Sequence, residues 1–333
     1  MLRKVVILVF VALVLSVFLS YGAEQGTVSL TILAPDGVAG PDLLDGKVIN
    51  NHSVYLNWSN VSAATSYNLY YSSNISAIML LNTSNIPGDV NNISGITLLN
   101  WTDTTANQTQ KRYYTVSAVK GTAENLTTDQ PVGKFTYYYT APVSGTYGTL
   151  ATNRISIYLN ISYYAESFLQ EIPSFLNSTI SRLEKSDGSG EYLTTHVRGL
   201  NDGNNFSLDL SKGYAVTVDQ DYNHTIVGDV AFTPYNLSYT APSSTTYGTL
   251  ATNWAGIYDF NKTYYAESFL QEIPSFLNST ISRLEKSDGS GEYLTTHVRG
   301  LNDGNNFSIN LGVGYAITVD DNYTQTLCVG CFS

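Results

Sequence analysis

Charge is the first thing in short supply: 13% of the 333 residues are charged, and 16 Lys and Arg stand against 27 Asp and Glu. Gripping a phosphate backbone takes a surplus of cations on some face. No basic cluster occurs, which excludes nucleic acid as a partner; the net charge of -11 leaves room for cations or for a hydrated, repulsive surface. Cysteine is nearly absent. Cys328 and Cys331 are the only two, so a zinc site built on two Cys pairs is out, and a c-type haem would need His where Phe332 stands. No Gly-x-Ser-x-Gly elbow or reactive Cys accompanies the four His residues. Glu166 and Glu171 stand near opposite ends of a short helical stretch, so no glycosidase dyad is indicated. The chain does not read as an enzyme.

Long apolar runs are missing too, apart from one. Arg3 and Lys4 precede the run Val5 to Phe18, followed by Ser20, Tyr21, Gly22 and Ala23. That order is a secretory signal, residues 1–23, with cleavage near Ala23. The run falls short of the roughly twenty residues a spanning helix needs. A retained N-terminal anchor is the alternative and the one route to membrane attachment within the sequence; either places the rest outside the cytoplasm.

What is abundant is Tyr, at 26, among many Asn, Ser and Thr, a composition suited to short strands and frequent turns. Alternation marks the strands: Val54, Leu56 and Trp58; Tyr67, Leu69 and Tyr71; Tyr114, Val116 and Ala118. These read as half-buried strands of a sandwich over residues 27–139. The stretches VYLNWSNVSAATSYNLYYSS and NWTDTTANQTQKRYYTVSAVKG resemble a fibronectin type III domain. The resemblance implies Trp58 in the core, Tyr67 to Tyr71 on the third strand and Tyr114 to Ala118 on the sixth. Arg112 departs from it, standing where that family often carries a corner tyrosine.

Tyr163 to Ser207 recurs letter for letter as Tyr264 to Ser308. Exposed positions of a folded unit tolerate substitution, so identity of this length points to recent duplication or gene conversion. A spacer or binding module gains reach or avidity from copying, unlike an active site. Tyr139-Thr140-Ala141-Pro142 and Tyr239-Thr240-Ala241-Pro242 read as seams, dividing off residues 140–239 and 240–333 as two α+β copies, the second ending in a strand that reads as frayed or cut short. In each, the pattern predicts a strand from Asn153, a helix over Ala165 to Ile172 stopped by Pro173, and two hairpins, Thr179 to Lys185 with Glu191 to Val197 and Phe206 to Leu210 with Tyr214 to Val218. The second copy has Trp254 for Arg154 and one extra residue near Asn261. Asn253-Trp254, Ala266-Glu267-Ser268 and Gly314-Tyr315-x-Ile317-x-Val319 resemble a repeat module of archaeal and some bacterial cell-surface proteins, which implies a surface role without a defined ligand. Tyr164 and Tyr265 replace its usual helix-start Thr and remove an N-cap worth about 1 kcal/mol.

The fold class is therefore mostly β, an array of a fibronectin type III-like sandwich and two small repeat domains with one short helix each. Asp202, Asp219, Asp221, Asp303, Asp320 and Asp321 are weak calcium candidates; their Asn- and Gly-rich surroundings read first as turns, and no EF-hand spacing occurs. No other cofactor is indicated. His196 and His297 occupy one position in the two copies and read as solvated or hydrogen-bonded strand residues. Cys328 and Cys331 suit a local or intermolecular disulfide. Asn-x-Ser/Thr occurs eighteen times; Asn57, Asn74, Asn82, Asn107, Asn125, Asn160, Asn223, Asn261 and Asn322 are the glycosylation candidates. The expected role is that of an extracellular or cell-envelope structural or adhesive protein whose partners are other surface proteins or glycans. The alternative is a carbohydrate-binding accessory region of a larger secreted enzyme.

Overall fold

Alternating residues become strands where the pattern placed them. The computed structural model describes residues 38–42, 44–50, 52–141, 153–173, 181–187, 193–200, 204–231, 235–241, 253–258, 262–273, 282–289, 294–301, 305–319 and 321–327. The segment 1–23, Asp202, Asp303, Asp320, Asn261, Cys328 and Cys331 lie outside these.

The first part of the chain forms two facing sheets. β1 (Leu44–Ile49), β2 (Ser53–Trp58) and β5 (Asn100–Asp103) make one, in the order β1-β2-β5. The other is built on β3 (Ser66–Ser72), β4 (Asn91–Ile96) and β6 (Lys111–Lys120), with β7 (Ala123–Leu126) and β8 (Val132–Tyr139) both on β6. Val54, Leu56 and Trp58 from one sheet meet Tyr67, Leu69, Tyr114 and Val116 from the other, and Trp58 is buried in this core. Where the corner tyrosine was expected, Arg112 pairs with Asp103, which also accepts the Tyr114 hydroxyl at 2.9 Å. Burial pushes the Asp103 carboxyl up, but hydrogen bonds from Thr105, Arg112 and Tyr114 outweigh it and hold the pKa below the ordinary value. A short helix, α1 (Ile75–Met79), is capped by the Asn74 side chain, which accepts the Ser76 N–H at 3.0 Å.

The outer face of the second sheet is buried as well, because the first copy completes it. β8 pairs along its length with β14 (Tyr222–Val230), which in turn pairs with β10 (Leu159–Asn160). Tyr70, Tyr113 and Phe135 thus share one core with Phe168, Leu169 and Tyr214. The Tyr139 to Pro142 seam was expected to carry few contacts; strand pairing and a common core cross it.

Within the first copy, β9 (Asn153–Ser156), α2 (Ala165–Glu171), β11 (Arg182–Ser186), β12 (Leu193–Val197) and β13 (Gly213–Thr217) form a sheet ordered β12-β11-β13-β9 with the helix against it. The second copy repeats this: β15 (Tyr235–Tyr239), β16 (Asn253–Gly256), α3 (Ala266–Glu272), β17 (Arg283–Ser287), β18 (Leu294–Val298), β19 (Gly314–Thr318) and β20 (Tyr323–Leu327), with β15 pairing β20 as β8 pairs β14. The β11–β12 hairpin is as expected. The second hairpin is not. Phe206 to Leu210 is held by the segment before the helix: Ala165 N–H donates to the Phe206 carbonyl and Leu208 N–H to the Tyr163 carbonyl, each at 2.8 Å. β13 pairs with β11 and β9 instead.

Candidate functional site

The polar residues that recur in both copies gather at the start of the helix. Tyr164 makes no side-chain cap. Two substitutes serve the exposed N–H groups: the Ser167 hydroxyl accepts from Tyr164 N–H at 3.0 Å, and the Asn205 side chain accepts from Glu166 N–H at 2.9 Å. Ser268 and Asn306 do the same for Tyr265 and Glu267. Part of the Asn-rich cluster is therefore a cap supplied from a distant loop.

Glu166 ties this helix start to the hairpin. Its carboxylate lies 2.8 Å from His196 Nε2 and accepts the Gly199 N–H at 2.9 Å; Glu267 meets His297 at 2.7 Å and Gly300 at 3.0 Å. His196 and His297 are buried, so they are bonded and not solvated. Burial raises the Glu166 and Glu267 carboxyls, but the His, Gly and Gln170 or Gln271 hydrogen bonds more than offset it, leaving both pKa values below the ordinary 4.5.

A second bridge shows what such a His is for. Buried His224 reaches Glu171 at 2.9 Å with Nε2 and the Tyr139 hydroxyl at 3.3 Å with Nδ1. At the matching place in the second copy stands Gln325, whose amide donates to Glu272 at 3.1 Å and accepts the Tyr239 hydroxyl at 3.2 Å. A neutral amide fills the role, so the position works as a two-ended hydrogen-bond bridge. Both bridges brace the helix, one against the hairpin and one against β14.

Among the described residues no group of three or more His, Cys, Asp or Glu could hold a metal ion. Asp221 accepts the Ala141 N–H at 2.8 Å, and Asn322, its counterpart, accepts the Ala241 N–H at 2.9 Å; both hold the backbone just past a strand end. Asn153 clasps the neighbouring Thr140, its side chain accepting from Thr140 N–H at 2.8 Å and donating to the Thr140 carbonyl at 3.0 Å. Asp219 is buried and Asp321 exposed. Of the glycosylation candidates, Asn74, Asn82, Asn107, Asn125, Asn160, Asn223 and Asn322 are exposed and Asn57 is half-buried. The Asn74 and Asn125 amides donate to Asp89 and to the Val38 carbonyl.

A cleft of about 490 Å³ runs along the first copy where the second reaches it, lined by Lys185, Asp187, Phe206, Asp209, Lys212 and Trp254. Its aromatic faces are occupied. Lys185 lies over the Phe206 ring and Tyr214 stacks against it, while Arg154 covers Trp254.

Exposed large apolar side chains are few, and in the copies they form a pattern. Among the described residues after Thr140 they are Tyr164, Leu200, Tyr265 and Leu301, half-exposed at 56%, 48%, 51% and 47%. Each Tyr and Leu flanks the Glu to Gly hydrogen bond of its own copy, so one surface feature is displayed twice.

The likeness is to fibronectin type III domains. The chain is similar to a Fn3-like protein from Clostridium thermocellum at 29% identity, covering 27% of this chain and 84% of that one with a TM-score of 0.22. It is similar also to the third fibronectin III domain of human KIAA0343 protein at 16% identity, covering 33% and 90%, with a TM-score of 0.23. No family model and no curated protein matches, so the comparisons lend the surface-repeat resemblance no support. The protein is mostly β, with several sheets, two of which face each other across one core. No helix among the described residues is long and apolar enough to cross a membrane.

Proposed function

We propose that the protein is an extracellular or cell-envelope structural or adhesive interaction protein with three modules, N-glycosylated at several exposed Asn, and that it is not itself an enzyme. The observation that carries this reading is the twice-displayed exposed Tyr and Leu, Tyr164 with Leu200 and Tyr265 with Leu301, on copies whose Glu166–His196 and Glu267–His297 pairs brace the helix. An exposed Tyr, apolar in body and polar at its tip, suits a protein or glycan partner, and two copies raise avidity without any new contact. The partners are other surface proteins or glycans, and exposed sequons such as Asn107, Asn160 and Asn223 leave room for sugar outside the core.

Replacing all four with Ser tests the adhesive role: binding of the purified protein to its own cells should fall at least tenfold with unchanged melting. Binding equal to wild type would end this assignment. Protein released from intact cells by added protease, with a mass above the bare chain, supports the location and the glycans; a protected, unmodified chain in the cytosolic fraction counts against both.

The cleft beside Lys185, Asp187, Asp209 and Lys212 favours the second reading, a carbohydrate-binding accessory region, since charged and amide groups ring a volume in the range of ligand sites. Loss of glycan binding on Lys212→Ala with Asp209→Ala, and not on the four Ser changes, would favour it.

A further inference from the structure

The two copies meet through a contact that obeys a two-fold rule. Ile155 of β9 bridges Val313, and Ala255 of β16 bridges Lys212; because residue 155 corresponds to 255 and 212 to 313, each bridge is the image of the other. The hydrogen bonds repeat the rule, with Ser156 N–H donating to the Gly312 carbonyl at 3.0 Å and Gly256 N–H donating to the Ser211 carbonyl at 2.8 Å. Two corresponding glycines permit the approach. A Cβ on Gly213 would stand 2.7 Å from the Ala255 amide nitrogen, and one on Gly314 would overlap the Ile155 carbonyl.

A contact of this kind is isologous: the same patch is used by both units. Between identical copies it would join any copy to any other, on one chain or on two. The copies are identical over Tyr163 to Ser207 and Tyr264 to Ser308, yet they differ at three successive positions of the opening strand, Arg154-Ile155-Ser156 against Trp254-Ala255-Gly256. Those differences lie in the contact and fit one another. The Arg154 guanidinium lies over the Trp254 ring, 4.5 Å from its centroid, and Trp254 sits against Ala215 and Ala316, themselves counterparts. Gly256 leaves room for Ser156, whose Cβ a side chain at 256 would overlap.

Charge is matched as well. Arg154 is buried, its Nε and Nη1 without hydrogen-bond partners, and burial lowers its pKa to about 10 against the opposing charges of Glu285 and Glu184. These two carboxylates are counterparts from the two copies; each has an arginine of its own, Arg182 at 3.7 Å and Arg283 at 3.9 Å, and Arg154 is the cation they share. Like-with-like docking would fail on each count. Two Arg would place two guanidinium groups in one buried space; two Trp would leave both carboxylates without this cation; two Ser would overlap at 156 and 256.

We propose that residues 154–156 and 254–256 are a pairing code that commits a first copy to a second copy and bars docking between two like copies, the mismatch supplying specificity as much as the match does.

Three full-length variants test this. One carries the first triplet twice (Trp254→Arg, Ala255→Ile, Gly256→Ser), one the second triplet twice (Arg154→Trp, Ile155→Ala, Ser156→Gly), and the third exchanges the triplets between copies. Melting and light scattering are the readouts. Each doubled variant should melt at least about 5 °C below wild type or fail to fold, whereas the exchanged variant, with the same pair reversed across the two-fold, should regain most of the loss and scatter light as wild type does. Doubled variants that melt like wild type overturn the proposal. So does an exchanged variant as damaged as the doubled ones, because the triplets would then matter only to their own copies.

Discussion

His224 and Gln325 show how a single position can be read from its counterpart. Both reach a Glu at the end of a helix and a buried Tyr hydroxyl. His224→Gln should therefore leave stability within about 0.5 kcal/mol, while His224→Ala, which strands the Tyr139 hydroxyl, should cost about 1–3 kcal/mol by thermal unfolding. Glu166 and Glu267 carry a pH signature. Their folded pKa values lie below the ordinary 4.5, so the folded state binds fewer protons than the unfolded chain in that window. The stability they contribute is present above about 4.5 and lost as pH falls through the lowered values. Glu166→Gln with Glu267→Gln should flatten the acid limb of melting temperature against pH. An unchanged acid limb would mean that other carboxylates set it.

At the scale of the element, α2 and α3 begin without their own caps and borrow Asn205 and Asn306. Asn205→Ala and Asn306→Ala should each cost about 1 kcal/mol, measured as a loss of melting temperature that adds when both are changed, since each acts in its own copy. Strands with one core face, such as β2, were legible because alternation records which side is buried. Phe206 to Leu210 has the same alternation but lends its backbone to the helix start, and alternation cannot report a backbone partner. The Tyr-Thr-Ala-Pro segments were legible as strand ends, as proline dictates, but the clasping of Thr140, Ala141 and Ala241 was not, because Asn153, Asp221 and Asn322 reach them from distant parts of the chain. The bridging roles of Glu166 and His196 were hidden for the same reason. Their one signal was identity in both copies, which the duplication conferred on every neighbour as well.

At the scale of the whole molecule, β8 belongs to two cores at once, pairing β6 on one edge and β14 on the other. A fragment ending at Tyr139 should expose that edge, and should melt lower and associate more readily than one ending at Ala231; equal behaviour by calorimetry and light scattering would show that the sandwich does not lean on the first copy. The two-fold contact between the copies has a different consequence. A head-to-tail contact leaves a fresh surface at each end and can be extended without limit, whereas an isologous one is consumed by two partners. A third copy inserted into this chain would find no vacant face of this kind, so growth by this contact proceeds in twos, and a lineage that lengthened the array would have to add copies in couples or invent a second kind of joint.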